Sequence, residues 1–168
     1  MAATERGLHV DELKELFYID EDWNLRWLVH RGRCYCKNSI AGTSHHGYKY
    51  VKIKYRQFAT HRVIWALHNG EWPNGQMDHI NGVRDDNRIE NLRIVTNQEN
   101  QKNTKLSKNN KSGLPGVCWD KAACRWRATA VVNYKAYYLG IYEDFFEAVC
   151  ARKSAELKYG FHTNHGRK

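Results

Sequence analysis

The chain has 168 residues, with 27 Lys or Arg against 18 Asp or Glu, and a formal net charge of +9. An apolar fraction of 42% with six Trp supports packed cores and excludes a largely disordered chain. No apolar run reaches the roughly 18 residues of a membrane span. The first residues are charged throughout and predict no signal peptide.

The positive charge is concentrated in the last part of the chain. Residues 1–100 carry 14 basic and 13 acidic residues, a net charge of +1, whereas residues 101–168 carry 13 basic and 5 acidic residues, a net charge of +8. Such a concentration is typical of a segment that binds a polyanion. The five cysteines show no zinc or disulfide spacing, which predicts reduced thiols in a cytoplasmic protein.

The first predicted elements are short strands. Leu16–Ile19 and Leu25–Val29 are expected to pair around an acidic turn. Tyr48–Ile53 alternates apolar residues with lysines, which predicts a half-exposed strand, and Tyr55–Ala59 is expected to return beside it. Its lysine face is either a solvated surface or a contact with phosphates.

A helix is predicted next. Thr60 is the expected N-cap, and Asn69-Gly70 is the expected end. We expect His61 and His68, both within this helix, to be structural rather than metal ligands.

Residues 76–103 form the most informative stretch of the sequence. Asp78 and His79 precede Asn81-Gly82, a strong turn signal, and a polar loop. Residues 91–96 predict a returning strand, and Asn97 is the expected cap of a helix with Asn100 on its first turn. The predicted unit is therefore strand, loop, strand and helix.

This arrangement has a chemical use. Neutral His79 is a candidate general base, and Asn91 is placed to orient its imidazole by hydrogen bonding. Asp78 and Asn100 offer hard oxygen ligands, which suit Mg²⁺ or Mn²⁺ rather than zinc. A metal beside a phosphate and a base that activates water are the minimum for phosphodiester hydrolysis.

The same stretch resembles the HNH endonucleases, in particular the small homing type often carried by phages. The resemblance is carried by the segments 78–82, 86–93 and 97–100. It implies a ββα-metal site of the H-N-N variant, with a divalent metal, most simply Mg²⁺, although Mn²⁺ is possible. The implied roles are metal ligands for Asp78 and Asn100, general base for His79, and the central Asn that fixes the His for Asn91.

A basic linker is predicted at residues 106–113, and a second unit follows it. Strands are expected at Gly116–Trp119, Arg125–Val132 and Ala136–Gly140. Asp144 begins a predicted helix, since Glu147 has the capping-box spacing, and Gly160 is placed to end it.

This second unit resembles the Apetala2/ethylene-response-factor DNA-binding domain. The resemblance is carried by residues 112–117, 125–128, 138–140 and 147–148. It implies that the sheet faces DNA through Arg125, Arg127 and Thr129, and that turn residues contact phosphates, namely Lys121, Tyr134 and Lys135. Plant members flank the first-strand Gly-Val pair with Arg, whereas Pro115 and Cys118 flank it here, so no base preference is implied.

Together these observations predict an α+β protein. An HNH nuclease domain of the ββα-metal type, preceded by a small antiparallel sheet, is expected at residues 1–105. A three-stranded antiparallel sheet packed on one helix is expected at residues 114–168. The predicted function is a metal-dependent homing endonuclease that nicks or cuts double-stranded DNA at a recognised site; the alternative is a non-catalytic DNA-binding regulator.

The predicted partner is double-stranded DNA. No membrane association is expected, the sequence indicates no protein partner, and both a monomer and a homodimer remain open. The expected location is the cytoplasm of a bacterial or phage-infected cell.

Overall fold

The computed structural model describes residues 5–30 and 36–167. The chain divides into two compact units, Met1–Val95 and Thr96–Lys168. Both units combine small antiparallel β-sheet structure with few helices, which confirms the predicted α+β fold. No helix among these residues is long and apolar enough to span a bilayer.

The first unit is a succession of short elements around one apolar core. Trp27, Phe17, Leu13 and Ile64 are among its fully buried side chains. Its elements in chain order are α1 (Val10–Leu16), β1 (Phe17–Ile19), β2 (Leu25–Trp27), β3 (Thr43–His45), β4 (Tyr48–Ile53), β5 (Arg56–Ala59), α2 (Thr60–Asn69), β6 (Gln76–His79), a 3₁₀ turn (Ile89–Asn91) and β7 (Leu92–Val95).

The described residues of this unit form three antiparallel sheets. Strands β1 and β2 form the predicted hairpin, and the Asp20 carboxylate closes its turn by accepting from the Asn24 N–H at 2.8 Å and Arg26 Nε at 2.5 Å. Strand β4 lies between β3 and β5. Strands β6 and β7 form a separate pair.

Helix α2 begins differently from the prediction. Its N-cap is Ala59, whose side chain makes no capping bond, and Thr60 is already helical. The Thr60 hydroxyl donates instead to the Lys49 carbonyl at 3.1 Å. The hydroxyl is therefore used to join α2 to β4 rather than to cap the helix. The helix ends as predicted at Gly70, which is in the left-handed conformation (φ 77°).

The second unit contains α3 (Asn97–Gln101), β8 (Val117–Asp120), β9 (Arg125–Val132), β10 (Lys135–Tyr142) and α4 (Phe145–Lys158). The sheet order is β10-β9-β8, all antiparallel, and α4 packs on it. Val117, Ala128 and Ala148 form its buried core. The small alanine side chains allow the helix to lie close to the sheet.

The cap of α3 lies one residue earlier than predicted. Thr96, not Asn97, is the N-cap: its hydroxyl accepts from the Glu99 N–H, and the Glu99 carboxylate accepts from the Thr96 N–H. This reciprocal capping box needs a side chain three residues before Glu99, a spacing that Asn97 does not have. Asn100 lies in the helix as expected.

The predicted linker at residues 106–113 is hydrogen-bonded within the second unit. The Leu106 N–H donates to the Arg167 carbonyl at 2.9 Å, and Ser112 Oγ donates to the Val117 carbonyl at 2.6 Å. The compact units divide at Val95, before α3, rather than at residue 105. The boundaries of the two functional domains remain predictions.

Candidate active site

The β6–β7 hairpin carries the two residues on which the predicted chemistry depends. Asp78 lies opposite Arg93, and His79 lies opposite Leu92 in the antiparallel register. Both side chains are buried, with 9% of Asp78 and 3% of His79 exposed. The hairpin therefore presents the Asp-His pair from a paired strand rather than from a loop.

Asn91 closes the loop between these two strands. Its side-chain oxygen accepts from the Asn81 N–H at 3.0 Å, and its side-chain nitrogen donates to the Asp86 carbonyl at 2.8 Å. The sequence predicts a hydrogen bond from Asn91 to the imidazole, whereas both of these bonds go to the loop backbone. Asn91 therefore braces the loop that follows His79.

Asn87 contacts the imidazole directly. His79 Nε2 and Asn87 Oδ1 are 3.2 Å apart, and the Asn87 side chain is buried. The sequence predicts no separate role for Asn87, because nothing in the Asp-Asn-Arg tripeptide shows which way its amide points. The only signal in the sequence is its place in the polar loop after His79.

The loop around Asn87 is held by Asp86. Its carboxylate accepts from Asn81 Nδ2 at 2.7 Å and from Arg88 Nε at 2.9 Å. The Arg88 guanidinium lowers the pKa of Asp86 to about 2, so this carboxylate is ionised at any physiological pH. Asn87 therefore lies between two residues, Asp86 and Arg88, whose side chains are hydrogen-bonded to each other.

Two further rings lie beside His79. The His61 ring is 5.1 Å from it, centroid to centroid, and the Tyr48 ring is 6.0 Å from it. His61 is 8% exposed, and burial lowers its pKa to about 3, so it is neutral at pH 7. A buried neutral ring agrees with the structural role predicted for His61, although the sequence does not indicate its place beside His79.

The environment of His79 favours the neutral imidazole. Burial lowers the pKa of His79, and the Asn87 hydrogen bond and the charge of Asp78 oppose this shift. With the pKa below its ordinary value of 6.5, the imidazole is deprotonated at pH 7. A deprotonated imidazole is what a general base requires.

The donors available for a metal are oxygens. Among the described residues, no group of three or more His, Cys, Asp and Glu is placed to hold an ion, so a zinc-type cage is not found there. Mg²⁺ is commonly bound by one or two protein oxygens, with waters and substrate phosphates completing the shell. The carboxylate of Asp78 fits that pattern. Asp78 is also paired with Arg93, whose Nη2 lies 2.8 Å from Asp78 Oδ2.

Asn100, the other predicted ligand, belongs to the second compact unit. Its backbone N–H donates to the Thr96 carbonyl at 3.0 Å, an ordinary helical bond. Its assignment as a metal ligand rests on the sequence and remains a prediction.

The sheet of the second unit has the predicted two faces. Ala128, Ala130 and Val132 are buried, whereas Arg125, Arg127 and Val131 are exposed and Thr129 is intermediate. Lys121, Tyr134 and Lys135 are exposed in or beside the turns. The strand alternation thus places the predicted DNA-facing side chains away from α4.

The arginines on this face are already paired with carboxylates. Arg125 Nη2 lies 2.9 Å from Glu143 Oε1, and Arg127 Nη1 lies 3.3 Å from Asp120 Oδ2. All four side chains are at least partly exposed, so these pairs contribute little to stability. Any DNA contact by these arginines therefore competes with weak surface ion pairs.

Comparison with known proteins agrees with the strand–loop–strand unit just described. A family model described as HNH endonuclease matches residues 58–102. "Protein 3.8" of Escherichia phage T7 is 36% identical over 92 residues, which are 52% of this chain and 76% of that protein. No solved structure matches.

The chain therefore belongs to the HNH endonuclease family. The matched segment contains Asp78, His79, Asn91 and Asn100. It ends before the three-stranded sheet, so the resemblance of that sheet to the Apetala2 domain is outside the matched part.

Proposed function

We propose that the protein is a metal-dependent endonuclease of the homing type, which hydrolyses phosphodiester bonds at a recognised site in double-stranded DNA. The observation that carries the proposal is the setting of His79. Its imidazole is buried, has a lowered pKa, lies next to a carboxylate in sequence and is held by a buried amide. Membership of the HNH endonuclease family supports the reaction class.

His79 would act as the general base. With the Asn87 amide oxygen accepting a hydrogen bond, Nε2 carries the ring proton and Nδ1 is the basic nitrogen. Nδ1 removes a proton from water as the water oxygen attacks phosphorus. The bond from phosphorus to the 3′ oxygen breaks, and that oxygen leaves and takes up a proton from solvent water. His79 then releases the proton that it took from the attacking water to solvent, which restores the base.

Asp78 and Asn100 would hold the divalent metal, Mg²⁺ or Mn²⁺, which supplies positive charge against the phosphate and the leaving oxygen. Arg93 would keep Asp78 oriented before the metal binds, because its guanidinium holds one carboxylate oxygen. Asn91 would keep the loop, and with it Asn87, in place beside the base.

The second unit would hold the target DNA. Its exposed sheet face offers Arg125, Arg127 and Thr129 to base edges, and the major groove of B-DNA admits β-strands. Lys121, Tyr134 and Lys135 would contact phosphates and fix the register. The phage relative supports action inside an infected bacterial cell.

A plasmid assay tests this proposal. Supercoiled DNA that includes sequence from the native host is incubated with wild type and with His79→Ala, with and without Mg²⁺ or Mn²⁺. Metal-dependent nicking or linearisation, lost in His79→Ala while DNA binding persists, is the expected result. Tight binding to DNA that contains the site, without cleavage in either metal, would overturn the nuclease and leave a DNA-binding regulator.

A further inference from the structure

The segment that directly follows α3 is held by residues 159–167, here called the C-terminal tail. The His162 N–H donates to the Lys102 carbonyl at 3.1 Å, and the Gly166 N–H donates to the Thr104 carbonyl at 2.8 Å. In the other direction, the Leu106 N–H donates to the Arg167 carbonyl at 2.9 Å. These backbone bonds follow the chain from the end of α3 to the start of the predicted linker.

Arg167 contacts Asn103, two residues after the end of α3. Its Nη1 donates to the Asn103 backbone carbonyl at 2.7 Å and to Asn103 Oδ1 at 2.9 Å. Asn103 is only 2% exposed, and its N–H donates to the Asn100 carbonyl at 3.1 Å. A single buried residue therefore connects the Arg167 guanidinium to the backbone of Asn100.

Helix α3 needs such support because it is short. It has five residues, and an isolated helix of that length is not stable in water. The Thr96–Glu99 capping box fixes its first turn. Its last turn is fixed from the tail, through Arg167 on Asn103 and through Lys102 Nζ, which donates to the Tyr159 carbonyl at 2.6 Å.

The tail is itself anchored to α4 and to the start of the sheet by Arg152. This buried guanidinium donates from Nε to the Pro115 carbonyl at 2.9 Å and lies 4.6 Å from the centre of the Phe161 ring. Its Nη2 is 3.1 Å from His165 Nε2. Contacts thus continue without a gap from the sheet through Arg152 to the tail, and from the tail to α3.

We infer that the C-terminal tail is a positioning element for the metal-ligand helix, with Arg167 and Asn103 as the residues that hold Asn100 in its working place. The inference rests on the proposed function, in which Asn100 is a metal ligand. Arg167 is a positioning residue, which acts through Asn103 and the backbone of α3. The metal requirement of the enzyme should therefore depend on a residue 67 positions away in sequence from the ligand.

The test compares Arg167→Ala with Lys158→Ala in the full-length chain. Both substitutions remove a cation from the same region, but the Lys158 ammonium lies over the Tyr159 ring, 5.6 Å from its centre, rather than against α3. Hydrogen–deuterium exchange of the metal-free protein reports on α3 directly. Peptides over residues 97–103 should exchange about tenfold faster in Arg167→Ala, since charge-assisted hydrogen bonds are lost, and at the wild-type rate in Lys158→Ala.

Cleavage supplies the second measurement. The Mn²⁺ concentration for half-maximal cleavage should rise about tenfold in Arg167→Ala, while the dissociation constant for DNA stays at the wild-type value. Arg167→Lys keeps the positive charge but lacks the planar guanidinium group. Its Mn²⁺ concentration for half-maximal cleavage should therefore lie between those of wild type and Arg167→Ala. It also serves as the test variant should Arg167→Ala not fold.

Two results would overturn the inference. Unchanged exchange over residues 97–103 would show that the tail does not hold α3. Faster exchange with an unchanged Mn²⁺ requirement would show that the tail stabilises the helix without positioning a ligand. Failure of the proposed function is distinguishable, because wild type would then bind DNA without cleaving it at any Mn²⁺ concentration.

Discussion

Burial and hydrogen bonding shift the pKa of the His79 imidazole in opposite directions. Burial disfavours the charged ring, while the Asn87 amide and the nearby carboxylates favour it, and burial prevails. At His61 burial and the charges of His79 and Arg62 all lower the pKa, which falls to about 3. His61 and His79, whose rings lie beside each other, are thus both neutral at pH 7. The site therefore does not contain two cations that repel each other.

The low pKa of His61 predicts an acid-dependent loss of stability. An unfolded histidine binds a proton below about pH 6.5, whereas folded His61 does so only near a pKa of about 3, so the unfolded state gains protons first as the pH falls. The His61 contribution is therefore fully present above pH 6.5 and is lost on acidification, by up to about 1.4 kcal/mol per pH unit.

Urea unfolding of wild type and His61→Phe between about pH 7.5 and 4.5 measures this contribution. From roughly pH 6.5 to 4.5, wild type should lose about 2 kcal/mol more of its free energy of unfolding than His61→Phe loses. His79 and His165 remain in both proteins, so their titration largely cancels. Parallel curves for the two proteins would contradict the buried, neutral assignment of His61.

Asn91 gives a second prediction at this scale. Asn91→Ala removes the acceptor for the Asn81 N–H and the donor to the Asp86 carbonyl, which should release the loop that carries Asn87. A misplacement of about 1 Å near the reacting groups can cost roughly 100-fold in rate, so cleavage should fall by about that factor. Asn91→Asp keeps the acceptor for the Asn81 N–H but not the donor to the Asp86 carbonyl, so its cleavage rate should fall less than that of Asn91→Ala.

Plasmid cleavage and DNA binding, measured together on the two Asn91 variants, check this. DNA binding should be unchanged in both, because the loop is remote in sequence from the predicted DNA-facing residues. Equal cleavage activity of wild type and Asn91→Ala would show that the loop keeps its working conformation without the two Asn91 hydrogen bonds.

Candidate residues for the site can be chosen from the sequence, but their contacts cannot be predicted from it. Residue type and spacing identify Asp78, His79 and Asn91, and the structure places them in one hairpin and its loop. The direction of the Asn87 amide and the approach of His61 depend on how distant segments pack. Such contacts leave no local pattern in a single sequence, so residue spacing does not reveal them.

At the scale of elements, alternation predicts strands better than side-chain chemistry predicts helix caps. Strands Tyr48–Ile53 and Arg125–Val132 have the predicted bounds, because burial of one face imposes a period of two on the residues. Thr60 and Asn97 are both wrong as predicted caps. The choice between neighbouring capping residues depends on backbone angles and on which hydroxyl has another partner, as Thr60 has in Lys49.

The start of β8 offers a prediction for an element. Gly116 has φ +73°, and a Cβ built on it would lie 2.2 Å from the Thr129 carbonyl oxygen and 3.1 Å from Arg152 Nε. Gly113 has a similar φ of +81°, and a Cβ built there would have no described atom within 4 Å beyond its chain neighbours. The two glycines therefore share the backbone penalty, and only Gly116 adds a steric clash.

Gly113→Ala should cost about 1 kcal/mol, the penalty for a left-handed Ala. Gly116→Ala should cost about 3 kcal/mol or more, since the clash is with backbone and must move a strand. Thermal unfolding of the two variants against wild type measures the difference. Equal losses of stability in the two variants would mean that the backbone at Gly116 can move away from Thr129 without a loss of free energy.

At the scale of the whole molecule, the HNH motif and the compact units divide the chain at different places. The matched HNH segment runs to residue 102, whereas the compact units divide at Val95. Helix α3 therefore belongs by contact to the basic unit, although its sequence completes the HNH motif. Composition does not reveal this, because the tail that holds residues 102–106 lies more than 50 residues further along the chain.

The proposed DNA contacts predict how binding responds to salt. Each phosphate contact adds about 0.9 to the slope of log K against log salt, because binding releases condensed counterions. Lys121→Gln combined with Lys135→Gln should therefore reduce that slope by about 2. Arg127→Gln should instead weaken discrimination between sites, by about 1–3 kcal/mol if it reads a base.

Fluorescence anisotropy from about 50 to 300 mM salt separates these effects. Lys14→Gln is the matched control, since Lys14 is an exposed lysine of the first unit, 3.1 Å from Asp11, and should leave the slope unchanged. If the double lysine variant keeps the wild-type slope, other residues contact the phosphates, and the sheet is not the DNA-binding surface. If Arg127→Gln also reduces the slope, Arg127 contacts a phosphate, and the reading of bases must lie with other residues of the exposed face.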